Sequence, residues 1–324
     1  MNRRDVITLL AGAAAWPLTA RAQQGGRVFR IGYLAFTSAA QNTVNSNAFR
    51  ANLRSLGYVE GENLQIESRF AGGDNDLLPG LAAELVRLNV DVIVTYATGV
   101  TAAQRATSTI PIVMATYSDA IATKVAASLA RPGGNVTGST FFHLELMAKR
   151  LELLSEVTPS IRRVGVLQLR GSESNGPAIE TMRDTAKALG MAIQPIEVGG
   201  TTELERAFSA FDNQQLAALV VTDHAFFITN ANIIAALAAK YRLPSIGPLE
   251  LATSGGLMAY GVNFTEQFRR AAVFVDKILK GAKPGDIPIE QATKFITIVN
   301  IRTAKGLGIE VPTSILLRAD EVIE

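Results

Sequence analysis

The chain contains two similar apolar segments that lie 133 residues apart. "RIGYLAF", residues 30–36, and "RVGVLQL", residues 163–169, each place a glycine and a leucine at the same points of a run that suits one buried strand. Turn residues recur at the same distance, in the pairs Gly32 and Gly165, Gly57 and Gly190, and Pro111 and Pro244. A constant offset indicates an internal repeat. We therefore expect two lobes of similar fold with a cleft between them.

Short apolar strands and amphipathic helices alternate in both halves of the chain. In the first half, for example, a helix with its leucines in line, Asn75–Leu88, precedes the continuous apolar strand Val90–Val94. In the second half we predict one long helix over Phe226–Tyr241. Alternation of this kind predicts an α/β fold of two Rossmann-like lobes, each with a parallel sheet that is covered on both faces.

The strands and helices that follow the second lobe in sequence are most simply assigned to the two lobes rather than to a third domain. The chain would then cross between the lobes near Val136, Val262 and Ile287. The predicted first lobe is 27–137 with 262–286, and the second is 138–261 with 287–324. Lobes joined by three crossovers can close by a hinge motion around a ligand.

The first 22 residues have the pattern of a secretory signal peptide. Arg3 and Arg4 precede an apolar run, and Ala20-Arg21-Ala22 has the small-x-small form of a cleavage site. The run is shorter than the roughly 20 apolar residues of a membrane span. A buried first helix is the alternative interpretation, and the export route (Sec or Tat) stays open. We expect a mature periplasmic protein that does not span the membrane.

Composition excludes several classes of function. Removal of residues 1–22 leaves 28 basic and 28 acidic residues and no Lys/Arg-rich run, so we expect no nucleic-acid partner. The chain has no cysteine and only His143 and His224, which predicts no zinc site, and we expect His143 to be structural. No GxSxG or HExxH motif occurs. We therefore predict a protein that is not an enzyme and has no metal or cofactor.

Several long motifs carry a specific resemblance. They include "LGYVEGENLQIESRFAGGDNDLLPGLAAELVRLNVDVIV", "SLARPGGNVTG", "GGLMAYG" and "LLRADEVIE". The chain resembles, over essentially its whole length, the ABC transporter substrate-binding family that includes tryptophan-binding lipoproteins. The resemblance implies a type I periplasmic binding-protein fold and delivery of a small molecule to an ABC permease in the inner membrane. Several members of that family are associated with aromatic amino acids.

The chain departs from the family pattern at three positions near the predicted cleft. Asp119-Ala120 stands where Asp-Pro is usual, and Thr222-Asp223-His224 stands where Gly-Asp-Pro is usual. Leu169-Arg170-Gly171 replaces the usual "WNP". The identity of the ligand is therefore not carried over from any relative.

Parallel α/β sheets bind ligands beyond the carboxyl ends of their strands. This rule selects the loops at 36–38, 97–99, 117–119, 170–175, 223–226 and 248–250. The predicted ligand-binding residues in these loops are Phe36, Thr37, Ala97, Thr98, Tyr117, Ser118, Asp119, Arg170, Asn175, Asp223, His224, Phe226 and Glu250.

Chemistry suggests a role for some of these residues, each with a structural alternative. Thr98 precedes a helix, where free N–H groups attract a carboxylate, although Thr is also a common N-cap. Asp119, Asp223 and Glu250 are candidates for binding a ligand ammonium group, or for capping helices and pairing with neighbours.

The aromatic and basic candidates have similar alternatives. Phe36, Tyr117 and Phe226 would supply apolar walls, or in the case of Phe226 pack in the core. Arg170 either binds a carboxylate or is an exposed loop charge, and His224 is either a hydrogen-bonding group in the cleft or a solvent-facing loop residue.

Together these features predict a monomeric, extracytoplasmic solute-binding component of an ABC importer. Its ligand would be small, amino-acid-like, carboxylate-bearing and partly apolar or aromatic. The alternatives are a periplasmic ligand sensor that signals to a membrane receptor and an extracytoplasmic hydrolase or isomerase.

Overall fold

The computed structural model describes residues 27–324 apart from Glu173, and the predicted signal peptide, 1–22, lies outside the described residues. Two lobes are present, each built on one sheet. The strands are β1 (Phe29–Ala35), β2 (Leu64–Phe70), β3 (Val92–Thr95), β4 (Ile112–Met114), β5 (Val136–Thr140), β6 (Arg163–Leu169), β7 (Ala192–Val198), β8 (Ala218–Val221), β9 (Ser245–Gly247), β10 (Met258–Gly261), β11 (Glu290–Gln291), β12 (Ile296–Asn300) and β13 (Glu321–Ile323).

Helices cover the faces of both sheets. They are α1 (Thr43–Ser55), α2 (Leu78–Arg87), α3 (Thr98–Ala106), α4 (His143–Val157), α5 (Asn175–Ala188), α6 (Leu204–Asn213), α7 (Ala225–Thr229), α8 (Ala231–Lys240), α9 (Leu249–Thr253), α10 (Phe264–Leu279), α11 (Ile301–Leu307) and α12 (Thr313–Leu316). None of the described helices is both long and apolar enough to cross a membrane.

The two sheets repeat one strand order. The first runs β2-β1-β3-β4-β5-β11 and the second β7-β6-β8-β9-β10-β12-β13. Most neighbouring strands are parallel, and β10 pairs with β12 in antiparallel fashion. Every residue of the central strands β3 and β8 is buried, as expected where helices cover both faces. The predicted duplication and fold class are confirmed.

The repeated glycines have the same structural cause in both lobes. A Cβ added to Gly32 would lie 3.1 Å from Cδ1 of Leu85 on α2, and one added to Gly165 would lie 2.4 Å from Cε1 of Phe211 on α6. The helix after the second strand of each lobe therefore packs directly over the first strand. A Cβ at Gly165 would require the Phe211 ring to move, whereas at Gly32 the Leu85 side chain would have to give by only a few tenths of an ångström.

The chain crosses between the lobes three times. β5 and β11 pair with each other on the first sheet, whereas α4 packs on α5 of the second lobe and α10 packs on α1 of the first. β11 lies beyond Asp286, where we expected the first lobe to end. We therefore propose crossovers at 141–142, 262–263 and 292–295, two of them a few residues later than predicted because strand pairing continues.

The predicted helix over Phe226–Tyr241 is two helices. α7 and α8 meet at Asn230, whose Nδ2 donates to the Phe226 carbonyl at 2.7 Å. Asparagine competes with helical backbone bonds in this way, and the apolar periodicity hides the break. The short α7 begins at the cleft and carries His224 at its N-cap position.

Candidate functional site

The cleft between the lobes contains a cavity of about 120 Å³. That volume is roughly ten times what one ordered water needs, and it suits a small organic ligand. We call Thr37, Asn42, Tyr96, Ala97 and Thr98 the first-lobe wall, and Asp223, His224 and Glu250 the second-lobe wall.

The first-lobe wall is held by a closed network of neutral hydrogen bonds. Tyr33 donates from Oη to Oδ1 of Asn42 at 2.6 Å, and Nδ2 of Asn42 donates to Oη of Tyr96 at 2.9 Å. The hydroxyls of Thr37 and Tyr96 lie 2.9 Å apart. Burial raises the pKa of Tyr96 and holds that of Tyr33 well above its usual range. This wall is therefore uncharged and rigid.

Helix α3 begins in the first-lobe wall from a strained residue. Ala97 has a φ of 47°, in the left-handed region that non-glycine residues rarely adopt. Such strain costs on the order of 1–3 kcal/mol and clusters at ligand sites. The hydroxyl of Thr98 donates to Oδ1 of Asn75 at 2.8 Å and does not cap the helix. At the start of α3, the N–H groups of Gly99 and Val100 already bond the carbonyls of Tyr96 and Ala97.

A buried ion pair anchors the second-lobe wall. Arg150, on α4, has no exposed surface and donates from Nη2 to Oδ1 of Asp223 at 2.7 Å. Its other donors bind the carbonyls of Val221 at 2.9 Å and Tyr260 at 2.8 Å. One guanidinium therefore ties the ends of β8 and β10 to the carboxylate at the cavity.

The second oxygen of Asp223 has no hydrogen-bond partner. Oδ2 is buried and lies 3.8 Å from Nδ1 of His143, which is too far for a hydrogen bond. Burial raises the pKa of Asp223, but Arg150 and then His143 outweigh it, and the net pKa is lowered. Asp223 is therefore a carboxylate with one free acceptor. His143, which we expected to be structural, lies beside it.

Glu250 supplies a second carboxyl group to the same wall. Its Oε2 is buried and has no hydrogen-bond partner. Burial raises the pKa of Glu250, and the negative charge of Asp223 adds to the effect. Two acidic side chains in one cavity favour a ligand that brings a positive charge.

His224 lies beside Asp223 at the start of α7. Nδ1 accepts a hydrogen bond from the N–H of Phe226 at 3.1 Å, and Nε2 is buried without a partner. The ring packs edge-on against Phe36, with centroids 5.1 Å apart. Burial lowers the pKa of His224 to about 4. The imidazole is therefore neutral near pH 7.

The structure brings eight of the predicted site residues to the cavity. They are Thr37, Ala97, Thr98, Tyr117, Ser118, Asp223, His224 and Glu250.

The other five predicted residues do not line this cavity. Asp119 accepts at Oδ1 from the N–H groups of Ile121 and Ala122, both at 2.9 Å, and so caps a turn. Arg170 is exposed and pairs with Glu203 at 2.9 Å.

Asn175, Phe36 and Phe226 have structural contacts. Nδ2 of Asn175 donates to the carbonyl of Leu169 at 2.7 Å. Phe36 is buried beneath His224, and Phe226 packs edge-on against Phe227. These three residues support the loops that carry the walls.

Sequence reasoning missed much of the apolar lining and the start of α1. Phe141 and Phe264 flank two of the crossovers, so aromatic residues beside a predicted hinge were an available signal. The other missed lining residues are Gln41, Asn42, Asn45, Tyr96, Thr116, Ser172, Ser174, Ala225, Ile228, Thr229 and Phe268.

The described residues hold no group of three His, Asp or Glu side chains suited to a metal ion. In the same residues, no lysine or arginine lines the cavity. Any negative charge on a ligand must therefore meet neutral donors or helix N–H groups there.

Known proteins have sequences and structures similar to this chain. Residues 31–323 match the family model of ABC transporter substrate binding proteins. The tyrosine-binding protein of Clostridioides difficile (strain R20291) is 26% identical over 261 residues, which cover 80% of this chain and 74% of that protein.

Two solved structures show the shared fold. The ABC domain from Streptococcus pneumoniae in complex with L-Trp has a TM-score of 0.83 and 23% identity, covering 91% of this chain and 99% of that one. The ligand-free, open structure of a Clostridium difficile substrate-binding protein with adhesive properties has a TM-score of 0.65 and 22% identity, covering 92% and 99%. This chain has the type I periplasmic binding-protein fold and belongs to the ABC transporter substrate-binding protein family.

Proposed function

We propose that the chain is the extracytoplasmic binding component of an ABC importer and captures an α-amino acid with an apolar or aromatic side chain. Four buried polar atoms of residues that line the cavity carry this proposal, because each has no hydrogen-bond partner among the described residues. They are Oγ1 of Thr116, Oδ2 of Asp223, Nε2 of His224 and Oε2 of Glu250.

These four atoms complement a zwitterion. Thr116 and His224 can donate to a carboxylate, and Asp223 and Glu250 can accept from an ammonium group. Unpaired buried polar atoms are unfavourable, so a ligand that pairs all four gains affinity from each. The N–H groups of Gly99 and Val100 at the start of α3 already bond the carbonyls of Tyr96 and Ala97, so the carboxylate is assigned to Thr116 and His224.

The rest of the lining suits an apolar side chain. Tyr117, Phe141, Phe264 and Phe268 place aromatic surface on the cavity. Aromatic walls bury a flat ligand at low entropic cost. The relatives agree with this ligand class, since one is a tyrosine-binding protein and another was solved with L-Trp.

Ligand binding tests the proposal directly. L-Tyrosine or L-tryptophan at 100 times Kd should stabilise the folded protein by about 2.7 kcal/mol, which raises Tm by roughly 4 °C in a chain of this length. Desaminotyrosine, which lacks the amine, and tyramine, which lacks the carboxylate, should bind at least tenfold more weakly in calorimetry.

Glu250→Gln is the matched variant for the ammonium contact. It removes the negative charge at nearly constant shape, and it should weaken L-tyrosine binding about tenfold while leaving desaminotyrosine unchanged. Equal binding of L-tyrosine and desaminotyrosine to the native protein would refute recognition of a zwitterionic ligand. The absence of a thermal shift with any amino acid would refute amino acids as the ligand class.

The proposed partner is an ABC permease in the inner membrane, and the proposed location is the periplasm after cleavage behind Ala22. Because both lobes line the cavity, separation of the lobes would widen it for ligand entry, and closure would present both lobe surfaces to the permease. Mature protein from the periplasm should begin at Gln23, and deletion of the gene should abolish uptake of the labelled ligand. Intact uptake with intact ligand binding would favour the sensor.

A further inference from the structure

The hydrogen bonds of His224 fix which of its nitrogens carries the proton. Nδ1 accepts from the N–H of Phe226 at 3.1 Å. An imidazole nitrogen that accepts a hydrogen bond carries no proton, so the neutral ring has its proton on Nε2. His224 therefore offers one donor, and that donor is at the far end of the ring from the backbone.

This donor is held in one place and has no partner. His224 lines the cavity and is 7% exposed, and its Nε2 is buried without a hydrogen-bond partner. The ring packs edge-on against Phe36 at 5.1 Å and Phe227 at 6.4 Å, so packing as well as the cap bond restricts its rotation. A buried donor fixed in this way is unfavourable until an acceptor meets it.

The neighbouring groups of the protein do not satisfy it. Oδ1 of Asp223 binds Arg150, while Oδ2 of Asp223 and Oε2 of Glu250 have no hydrogen-bond partner, so neither oxygen accepts from Nε2. The acceptor must therefore come from whatever occupies the cavity.

We propose that His224 is a specificity-determining residue whose Nε2–H donates to an oxygen acceptor of the ligand. The inference rests on the proposed function and deepens it. The oxygen belongs to the α-carboxylate or to a side-chain group such as a phenol. In either case the second lobe selects for a ligand that has an oxygen acceptor. Because His224 is on the second lobe, this hydrogen bond contributes to closure around the ligand.

The variant His224→Asn separates this role from the structural one. Asn is a favourable N-cap and can still accept from the N–H of Phe226, but its side chain is too short to place a donor where Nε2 lies. His224→Gln is the rescue variant, because its longer amide places an N–H group close to the position of Nε2. Loss of binding in the first variant and recovery in the second identify the donor.

L-Tyrosine and L-phenylalanine identify the source of the acceptor, since they differ only in the phenol. His224→Asn should weaken binding about tenfold. Weakening of both amino acids indicates the carboxylate, and weakening of L-tyrosine alone indicates the phenol. Unchanged binding of both, or equal loss in the Asn and Gln variants, overturns the proposal.

A measurement without ligand separates failure of this proposal from failure of the proposed function. Long-range ¹H–¹⁵N correlation spectra of the native protein should show the Nε2–H tautomer of His224. If neither amino acid binds the native protein, the ligand class is wrong, and the tautomer decides the present proposal. Nε2–H supports it, and Nδ1–H overturns it.

Discussion

The two lobes share one strand order but face the cavity with different chemistry. On the first-lobe wall, Thr37, Asn42 and Tyr96 satisfy one another by hydrogen bonds. On the second-lobe wall, Asp223 and His224 each keep a buried atom without a partner. The side chains of Thr37, Asn42 and Tyr96 are therefore paired before a ligand arrives, whereas Asp223 and His224 gain their missing partners only from a ligand.

This difference shows where a duplicated fold acquires its specificity. The strands and the glycines beneath the helices are common to both lobes because they set the packing. The loops at the carboxyl ends of the strands are free to diverge. We infer that the second lobe reads the ammonium group of the ligand, while the first lobe defines the shape of the site and contributes Thr116 to the carboxylate.

Loss of Arg150 should produce the largest effect on the second-lobe wall. Arg150→Met leaves Asp223 buried without its positive partner, which should lower the free energy of unfolding by about 3–5 kcal/mol in urea titrations. The control is Arg269→Met, which breaks an exposed pair with Glu266 and should cost at most about 1 kcal/mol. Equal losses in the two variants would contradict a buried anchor.

His224 should make the stability of the second-lobe wall depend on pH. An unfolded histidine takes up a proton below its ordinary pKa of 6.5, whereas folded His224 does so only near 4. The native protein should therefore lose stability as pH falls from 6.5 to 4, by up to about 3 kcal/mol from this group.

Urea unfolding of the native protein and His224→Asn at several pH values between 7 and 4 measures this contribution. The difference between the two should shrink or reverse toward acid pH, because the variant lacks the group. The raised pKa of Glu250 has the opposite effect, because it stabilises the folded state as pH falls. This contribution is present in both proteins and therefore cancels when their unfolding free energies are compared. If the unfolding free energies of the two proteins changed in parallel with pH, folded His224 would not resist protonation.

A change in the first-lobe wall should affect stability and leave charge selectivity intact. Tyr96→Phe removes the hydroxyl that Thr37 and Asn42 share, at a cost of about 1–2 kcal/mol in unfolding free energy. Tyr241→Phe is the control, because that hydroxyl has no hydrogen bond within the described part of the chain. If Tyr96→Phe abolished the preference for L-tyrosine over desaminotyrosine, the division between the walls would be wrong.

The smallest effect is expected at Arg170. This residue is exposed, pairs with Glu203 and lies outside the cavity lining. Arg170→Ala should change the Kd for L-tyrosine less than twofold in calorimetry. Tenfold weaker binding would place the ligand further toward the mouth of the cleft than the two walls indicate.

The sequence predicted the fold well because its signals are local. A glycine beneath a helix or a proline before a strand has the same cause wherever it occurs, so Gly32 and Gly165 revealed the duplication. The strand-end rule also placed Thr98, Asp223 and Glu250 at the cavity.

The sequence could not separate residues whose roles depend on distant partners. Asp119 and Asp223 both follow a buried strand, yet Asp119 caps the next turn and Asp223 faces the cavity. The difference depends on Arg150, which is 73 residues away and on a helix where arginine normally indicates an exposed face. Nothing near Asp223 in the sequence shows that contact.

A crystal structure of the protein with its bound ligand tests the central claim most directly. We predict an α-amino acid between the lobes, with its ammonium nitrogen hydrogen-bonded to Oδ2 of Asp223 or Oε2 of Glu250. A bound ligand without an amine, or an amine that contacts only the first-lobe wall, would contradict the account.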